Sequence, residues 1–266
     1  MIHPTAVIHP KARLDPTVRV GPYAVIDEGV EVGNHCTIGP HVYLTGVTRI
    51  GAYNTFFAGS VVGEAPQDLK YKGAPSRLRI GDRNIFREGV TVHRSTNPEG
   101  ETVVGSHNFL MANCHVGHDC RLGDFVIMAN GALLGGHVRI GDHALISGNC
   151  LVHQFVRVGT LALMQGGAAV SKDLPPFTIA RGDNKICGLN TVGLRRAGLT
   201  PADRLELRRL YHALFRQGVS LRRAIMAARE SFTGGPSKTM LDFLASSTRG
   251  VCSDVGTSSK AEPDSV

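Results

Sequence analysis

A histidine beside an aspartate, His118-Asp119, is the pair in this sequence best suited to moving a proton. A neutral imidazole can take a proton from a hydroxyl near neutral pH. A neighbouring carboxylate can orient the ring and stabilise the imidazolium, as in a serine protease triad. His115, His137, His153 and Gln154 lie in the same stretch, and Gly136 offers a backbone N–H with no side chain in front of it. Such an N–H is the kind of donor a developing oxyanion needs. A metal is the competing reading, because His115 and His118 have the His-x-x-His spacing of a zinc ligand pair. Odd spacing along a strand tends to send two side chains to opposite faces, which weakens it. No serine or cysteine embedded in the repeat has an obvious base beside it, so the pattern favours direct transfer to an acceptor hydroxyl over an acyl-enzyme.

The elements that must position these residues follow from a repeat of six. Aliphatic residues recur from Ile2 through Ile8, Leu14, Val20 and Ile26 to Val62, resume at Ile80, Phe86 and Val92, and run again from Leu110 to Val170. Four residues after most of them stands something small, such as Ala24, Cys36, Cys114, Cys120, Ala132 or Cys150. Six is not a whole number of helical turns at 3.6 residues each. A triangular solenoid fits, with a short strand and a corner in each unit and three units per coil of 18. Alternate strand residues share a face, so the aliphatic and the small residue both point inward. Cys36, Cys114, Cys120 and Cys150 are then core residues rather than disulfides or ligands. Residues 18 apart stack at roughly 4.8 Å, the spacing of neighbouring strands. That places His118, Gly136 and Gln154 in one column, with His137 and His153 in the columns on either side.

Two stretches, 63–79 and 93–108, interrupt the repeat. Loops of that length in a compact repeat are usually functional. The repeat decays near 170, and the spacing predicts a β-helix over 1–188 and a helical unit over 189–248. Thr200-Pro201 gives the second unit an N-cap and a first-turn proline. From 249 to 266 the chain is polar, and a disordered tail is expected. Glycine is frequent, 32 of 266 residues, against a usual ~7%. The net charge of +7 suits an acidic partner, whether nucleic acid, an acidic protein or a phosphorylated substrate. No secretory signal and no apolar run of ~20 residues is seen, so a soluble, cytoplasmic protein without membrane insertion is expected.

The motifs then become specific. H-V-G-H-D-C at 115–120 resembles the H-x-x-H-D-C of the UDP-N-acetylglucosamine O-acyltransferases, hexapeptide-repeat enzymes that open lipid A synthesis. V-H-Q-F at 152–155, Q-D-L-K-Y at 67–71, V-H-R at 92–94, Pro175-Pro176 and S-S-T-R-G at 246–250 resemble further landmarks of that family. The resemblance implies a left-handed parallel β-helix with a C-terminal α-helical domain. It implies a homotrimer with active sites between subunits, acyl carrier protein and UDP-N-acetylglucosamine as substrates, and neither a metal, another cofactor nor a nucleic acid partner. In that reading His118 is the general base, supported by Asp119, and Gly136 is the oxyanion donor. His115, His137, His153 and Gln154 hold the sugar nucleotide and pantetheine. Asp68 and Lys70 contact the glucosamine, and Asn190 and Arg196 the uridine diphosphate. Val192 stands where some relatives carry an acid. Gly166 stacks 18 residues after Gly148, and the resemblance makes this part of the repeat a ruler for acyl length. The basic residues Arg204, Arg208, Arg209, Arg216, Arg222 and Arg223 suggest that the C-terminal helices dock the carrier protein.

Overall fold

A computed structural model describes residues 1–256, and the hexapeptide pattern becomes three parallel sheets wound as a triangular solenoid. The first sheet has nine strands, from Val7–Ile8 to Ala169–Val170. The second has eight, from Arg13–Leu14 to Arg157–Val158, and the third has eleven, starting at Arg19–Val20. Regular coils stack in the expected register of 18, as in His115 against Leu133 and Leu133 against Leu151. From Val20 onward the apolar column is buried, as are the four repeat cysteines, which are free thiols.

The corners explain their own residues. Pro22 and Pro40 precede Tyr23 and His41, which have φ of 57° and 55°. A proline followed by a left-handed residue is the type II turn. Residues other than glycine in that region are strained, and here flat side chains stack from coil to coil. His107, Phe125 and His143 stack with centroids 4.7 Å apart at each step.

Three coils carry asparagine where the pattern asks for something small. Asn54, Asn84 and Asn108 are buried and form a ladder. Asn84 Nδ2 donates to Asn54 Oδ1 at 2.9 Å, and Asn84 Oδ1 accepts the Asn108 N–H at 2.8 Å.

The interruptions are shorter than the sequence pattern implied. Arg77–Ile80 pairs with Val47–Ile50, and Glu101–Val104 pairs in turn with Arg77–Ile80. Residues 77–79 and 101–108 therefore belong to the solenoid, and the loops shrink to 65–76 and 94–100. Both leave from the corner between the first and second sheets, which is the corner of His118.

After the last full coil, Thr178–Ala180 pairs antiparallel with Lys185–Leu189. Four helices follow among the described residues: α1 (Thr191–Arg196), α2 (Pro201–Phe215), α3 (Leu221–Ser231) and α4 (Gly235–Ala245). Thr200 and Asp203 form a reciprocal capping box on α2. The chain does not become a free tail at 249. Cys252 is buried, and Ser253–Asp254 adds a parallel strand to Lys185–Leu189. Asp254 is buried where the Tyr211 hydroxyl donates to it and Arg216 pairs with it at 3.3 Å. These partners lie about forty residues back, so local polarity alone read the segment as solvated. Residues 257–266 lie outside the described residues. No described helix is long and apolar enough to cross a membrane.

Candidate active site

The first corner brings His118, Asp119, Gly136 and His137 together. His118 Nδ1 lies 2.8 Å from Asp119 Oδ2. Asp119 is held by the second loop: the Ser95 hydroxyl donates to Oδ1, and the Thr96 N–H and hydroxyl donate to Oδ2 at 3.1 and 2.7 Å. Burial raises the Asp119 carboxyl, but the hydrogen bonds from His118, Ser95 and Thr96 outweigh it and hold the group well below the usual carboxylate range. An ionised Asp119 fixes the tautomer of His118. With Nδ1 donating to that carboxylate, Nε2 is left with a free lone pair.

Gly136 sits one coil further along. A Cβ there would meet His118 Cε1 at 2.4 Å and Nε2 at 2.5 Å, so only glycine lets the ring lie in place. Its N–H has no acceptor among the described residues. At the equivalent position of the second corner, the Ser106 and Asp124 N–H groups are capped by the carboxylates of Asp124 and Asp142, at 2.7 and 2.9 Å. The Gly136 donor thus stays available beside a base, the arrangement an oxyanion hole requires.

His115 and His153 line a groove of about 450 Å³ with Gln67, His93, Leu133, Leu151 and Gln154, while His137 lies beside it. His137 Nε2 is 3.7 Å from Asp119, and its ring stacks on Phe155 at 4.5 Å. His115 accepts or donates to the Thr91 hydroxyl at 2.7 Å and meets the buried His93 edge-on at 4.8 Å. Burial, with His93 and His118 nearby, pushes the His115 imidazole down to about 4. Between pH 6.5 and about 4 the unfolded chain therefore takes up a proton that the folded chain refuses, and stability falls as pH drops through that window. This loss amounts to at most about 3 kcal/mol. The His115→Gln variant should show a shallower decline of Tm between pH 7 and 4.5; an unchanged decline would exclude His115 as its source.

His118, Asp119 and His137 present ligand atoms within 4.8 Å of one another, close enough to suggest a metal. Asp119 Oδ2, however, already receives three hydrogens, from His118 and from both donors of Thr96. A cation would have to displace them, so the geometry suits a base and its orienter better than a ligand set.

Several residues were not legible as site residues. Ser95 and Thr96 reach Asp119 only because a loop folds over the corner. Arg249, from the S-S-T-R-G landmark, donates to His153 Nδ1 at 3.3 Å. Arg94 ties the first loop down by donating to Gly63 O and to the Tyr71 hydroxyl, at 2.7 and 3.2 Å. Of the first-loop residues, Asp68 is near enough to His137 to oppose the lowering of its pKa, while Lys70 is exposed. Asn190, Arg196, Gly148 and Gly166 do not line this groove. Asn190 is the N-cap of α1, accepting the Gly193 N–H and donating to Leu161 O, both at 2.9 Å. Arg196 is exposed in the last turn of that helix. Gly148 and Gly166 sit at the corner between the third and first sheets.

Comparison with known proteins decides the family. A model described as UDP N-acetylglucosamine O-acyltransferase, domain 2, matches residues 173–252, and a bacterial transferase hexapeptide model matches 12–46 and 101–136. The acyl-[acyl-carrier-protein]–UDP-N-acetylglucosamine O-acyltransferase of Thermodesulfovibrio yellowstonii is 45% identical over 254 residues, covering 94% of this chain and 98% of its own. The chain belongs to this O-acyltransferase family. The Syntrophobacter fumaroxidans member is 42% identical over the same length. The solved UDP-N-acetylglucosamine acyltransferase of Francisella novicida superposes with a TM-score of 0.93 at 37% identity, covering 96% of this chain and 95% of that one. The fold is thus the left-handed parallel β-helix of this O-acyltransferase family, with its C-terminal helices.

Proposed function

We propose that this enzyme transfers a 3-hydroxyacyl chain from acyl carrier protein to the 3-hydroxyl of UDP-N-acetylglucosamine, the first step of lipid A synthesis. The observation that carries the reading is the His118–Asp119 pair facing the uncapped N–H of Gly136. His118 Nε2 takes the proton of the sugar 3-hydroxyl as its oxygen attacks the thioester carbonyl. The tetrahedral oxyanion accepts the Gly136 N–H. Collapse expels the pantetheine thiolate, which takes the proton back from His118 and leaves as a thiol. No acyl-enzyme is formed. His115, His137, His153, Gln154, Asp68 and Lys70 hold the substrates, and Asn190 and Arg196 serve the uridine diphosphate end across a subunit boundary.

A homotrimer fits the distribution of apolar surface. On the outside of the third sheet, Ile85, Phe109, Ile127, Leu145 and Leu163 stack in register over five successive coils. Leu133 and Leu151 form a shorter apolar run on the first sheet. These two faces meet at the corner of Gly148 and Gly166, where small residues allow close approach. Packing the third sheet of one subunit on the first sheet of the next buries both and sets the catalytic corner at the rim. The exposed arginines of α2 and α3 suit an acidic carrier protein.

The test is turnover of UDP-N-acetylglucosamine with a ladder of 3-hydroxyacyl carrier proteins, with products detected by mass. At Gly166 an added Cβ would meet only Gly148 O, at 3.6 Å, an ordinary van der Waals contact. A long acyl chain that crosses the first sheet from the His118 corner would reach Gly166 at the opposite corner, each buried methylene contributing roughly 0.8 kcal/mol. The expected preference is a donor of about 14 carbons for the wild type and about 10 for Gly166→Met, a two-carbon difference being worth about tenfold or somewhat more. An unchanged preference would exclude Gly166 as the ruler. Absence of acylated nucleotide with every donor would overturn the assigned reaction.

A further inference from the structure

The outward column of the second sheet carries charges in almost every coil, and most are paired. Glu31 lies between Arg13 and Arg49, at 3.3 and 3.4 Å. Arg79 pairs with Glu101 at 3.0 Å. At the far end Arg157 pairs with the buried Asp173 at 2.7 Å, and its guanidinium lies 4.3 Å from the ring of Phe243 on α4. Between these pairs the pattern breaks. Arg121 and Arg139 are direct neighbours in the ladder, Arg139 is followed by Arg157, and Val103 precedes Arg121. Both Arg121 and Arg139 are exposed, and neither has an ion pair or side-chain hydrogen bond among the described residues. Like charges directly opposed in a ladder destabilise a sheet. Arg49 and Arg79 are also ladder neighbours on this face, but there each has its own carboxylate, Glu31 and Glu101.

The position of the break points to a ligand. Arg121 follows His118 by three residues, and Arg139 follows Gly136 by three. The two uncompensated cations therefore stand on the two coils that supply the base and the oxyanion donor, one face round from the groove. They floor a second groove of about 560 Å³, walled by Pro176 and by Thr239, Asp242 and Phe243 of α4. Asp242, the acid on that wall, is already paired with Arg229 at 2.9 Å. The groove thus offers net positive charge with an apolar side.

We infer that Arg121 and Arg139 dock the acyl donor, receiving the acidic surface or arm phosphate of the carrier protein beside the catalytic corner. This rests on the reaction proposed above and adds a docking face on the sheet to the helical arginines. Both substrates are anions, but the face suits the carrier. The first sheet carries the His115–Leu133–Leu151 groove in which the acceptor and acyl chain lie. The second sheet is the charged, open one, where a protein can settle while its arm crosses one corner to His118.

The experiment compares the wild type with the double variants Arg121→Gln/Arg139→Gln and Arg121→Glu/Arg139→Glu. Direct titration with 3-hydroxyacyl carrier protein gives Kd independently of turnover. Kinetics give KM for the carrier, KM for UDP-N-acetylglucosamine, and turnover with a carrier-free acyl-pantetheine donor. The Gln pair should weaken carrier binding by about tenfold at low salt and the Glu pair by more, with the difference shrinking as ionic strength rises. Turnover of acyl-pantetheine and KM for the nucleotide sugar should stay within twofold. Carrier binding within twofold of wild type in both variants would overturn the inference. So would a rise in the nucleotide KM alone, which would assign the arginines to the acceptor. If wild-type protein binds the carrier but acylates nothing, the proposed reaction fails while the titration still decides the docking face.

Discussion

His118→Ala should lower kcat by at least ~10²-fold while the chain keeps its fold, since removing a general base forfeits an effect of that size. The ring is held by Asp119 and makes no other side-chain hydrogen bond among the described residues, so its loss removes a proton acceptor and little structure. KM for both substrates should change far less than kcat, because the interaction lost is made in the transition state. Steady-state kinetics of the purified variant, with a thermal melt as control, check this. Turnover within a few-fold of wild type would exclude His118 as the base. Asp119→Asn should also fall, because a neutral amide no longer enforces the tautomer with Nε2 free.

Gly136→Ala should cost a comparable amount for a different reason. The added methyl would overlap the His118 ring at 2.4–2.5 Å, so the ring must swing away. It would also crowd the N–H proposed as the oxyanion donor, and losing one such donor alone costs ~10²–10³ in kcat. The solenoid should survive, because the clash is with a movable side chain rather than with backbone. The contrast with Gly166→Met is the informative part. There an added Cβ meets nothing closer than 3.6 Å, and a larger side chain should alter donor preference without abolishing the chemistry. A Gly136→Ala enzyme with wild-type kcat would remove Gly136 from the mechanism.

The reason these residues could be found from sequence is geometric. A six-residue period fixes which side chains point inward, and three periods fix what lies above what. His118 over Gly136 is therefore readable from a separation of 18, and the Cβ overlap bears the column out. What the period does not govern was harder to see. Ser95 and Thr96 meet Asp119 from a loop whose path no repeat dictates. Asn54, Asn84 and Asn108 stand in positions read as requiring a small residue, and their burial depends on hydrogen bonds that pass from coil to coil. Ser253–Asp254 is too short and polar to announce itself as a strand, and it is ordered by Lys185–Leu189, Tyr211 and Arg216. Asn190 also caps α1, with its amide bonded to the Gly193 N–H and to Leu161 O, a role the motif alone does not reveal. A uridine contact from Asn190 would have to compete with those bonds.

The proposed reaction is a direct, base-assisted transfer to one hydroxyl. It is tested most directly by following an isotopically labelled 3-hydroxyacyl group from the carrier protein, with and without UDP-N-acetylglucosamine. Intact-mass measurement of the enzyme and tandem-mass or NMR assignment of the sugar product locate the label. With acceptor present, all transferred label should sit in an ester at the glucosamine 3-oxygen, and the enzyme mass should never change. An enzyme carrying the acyl mass when acceptor is withheld, or label at any other position of the nucleotide sugar, would contradict the proposed reaction.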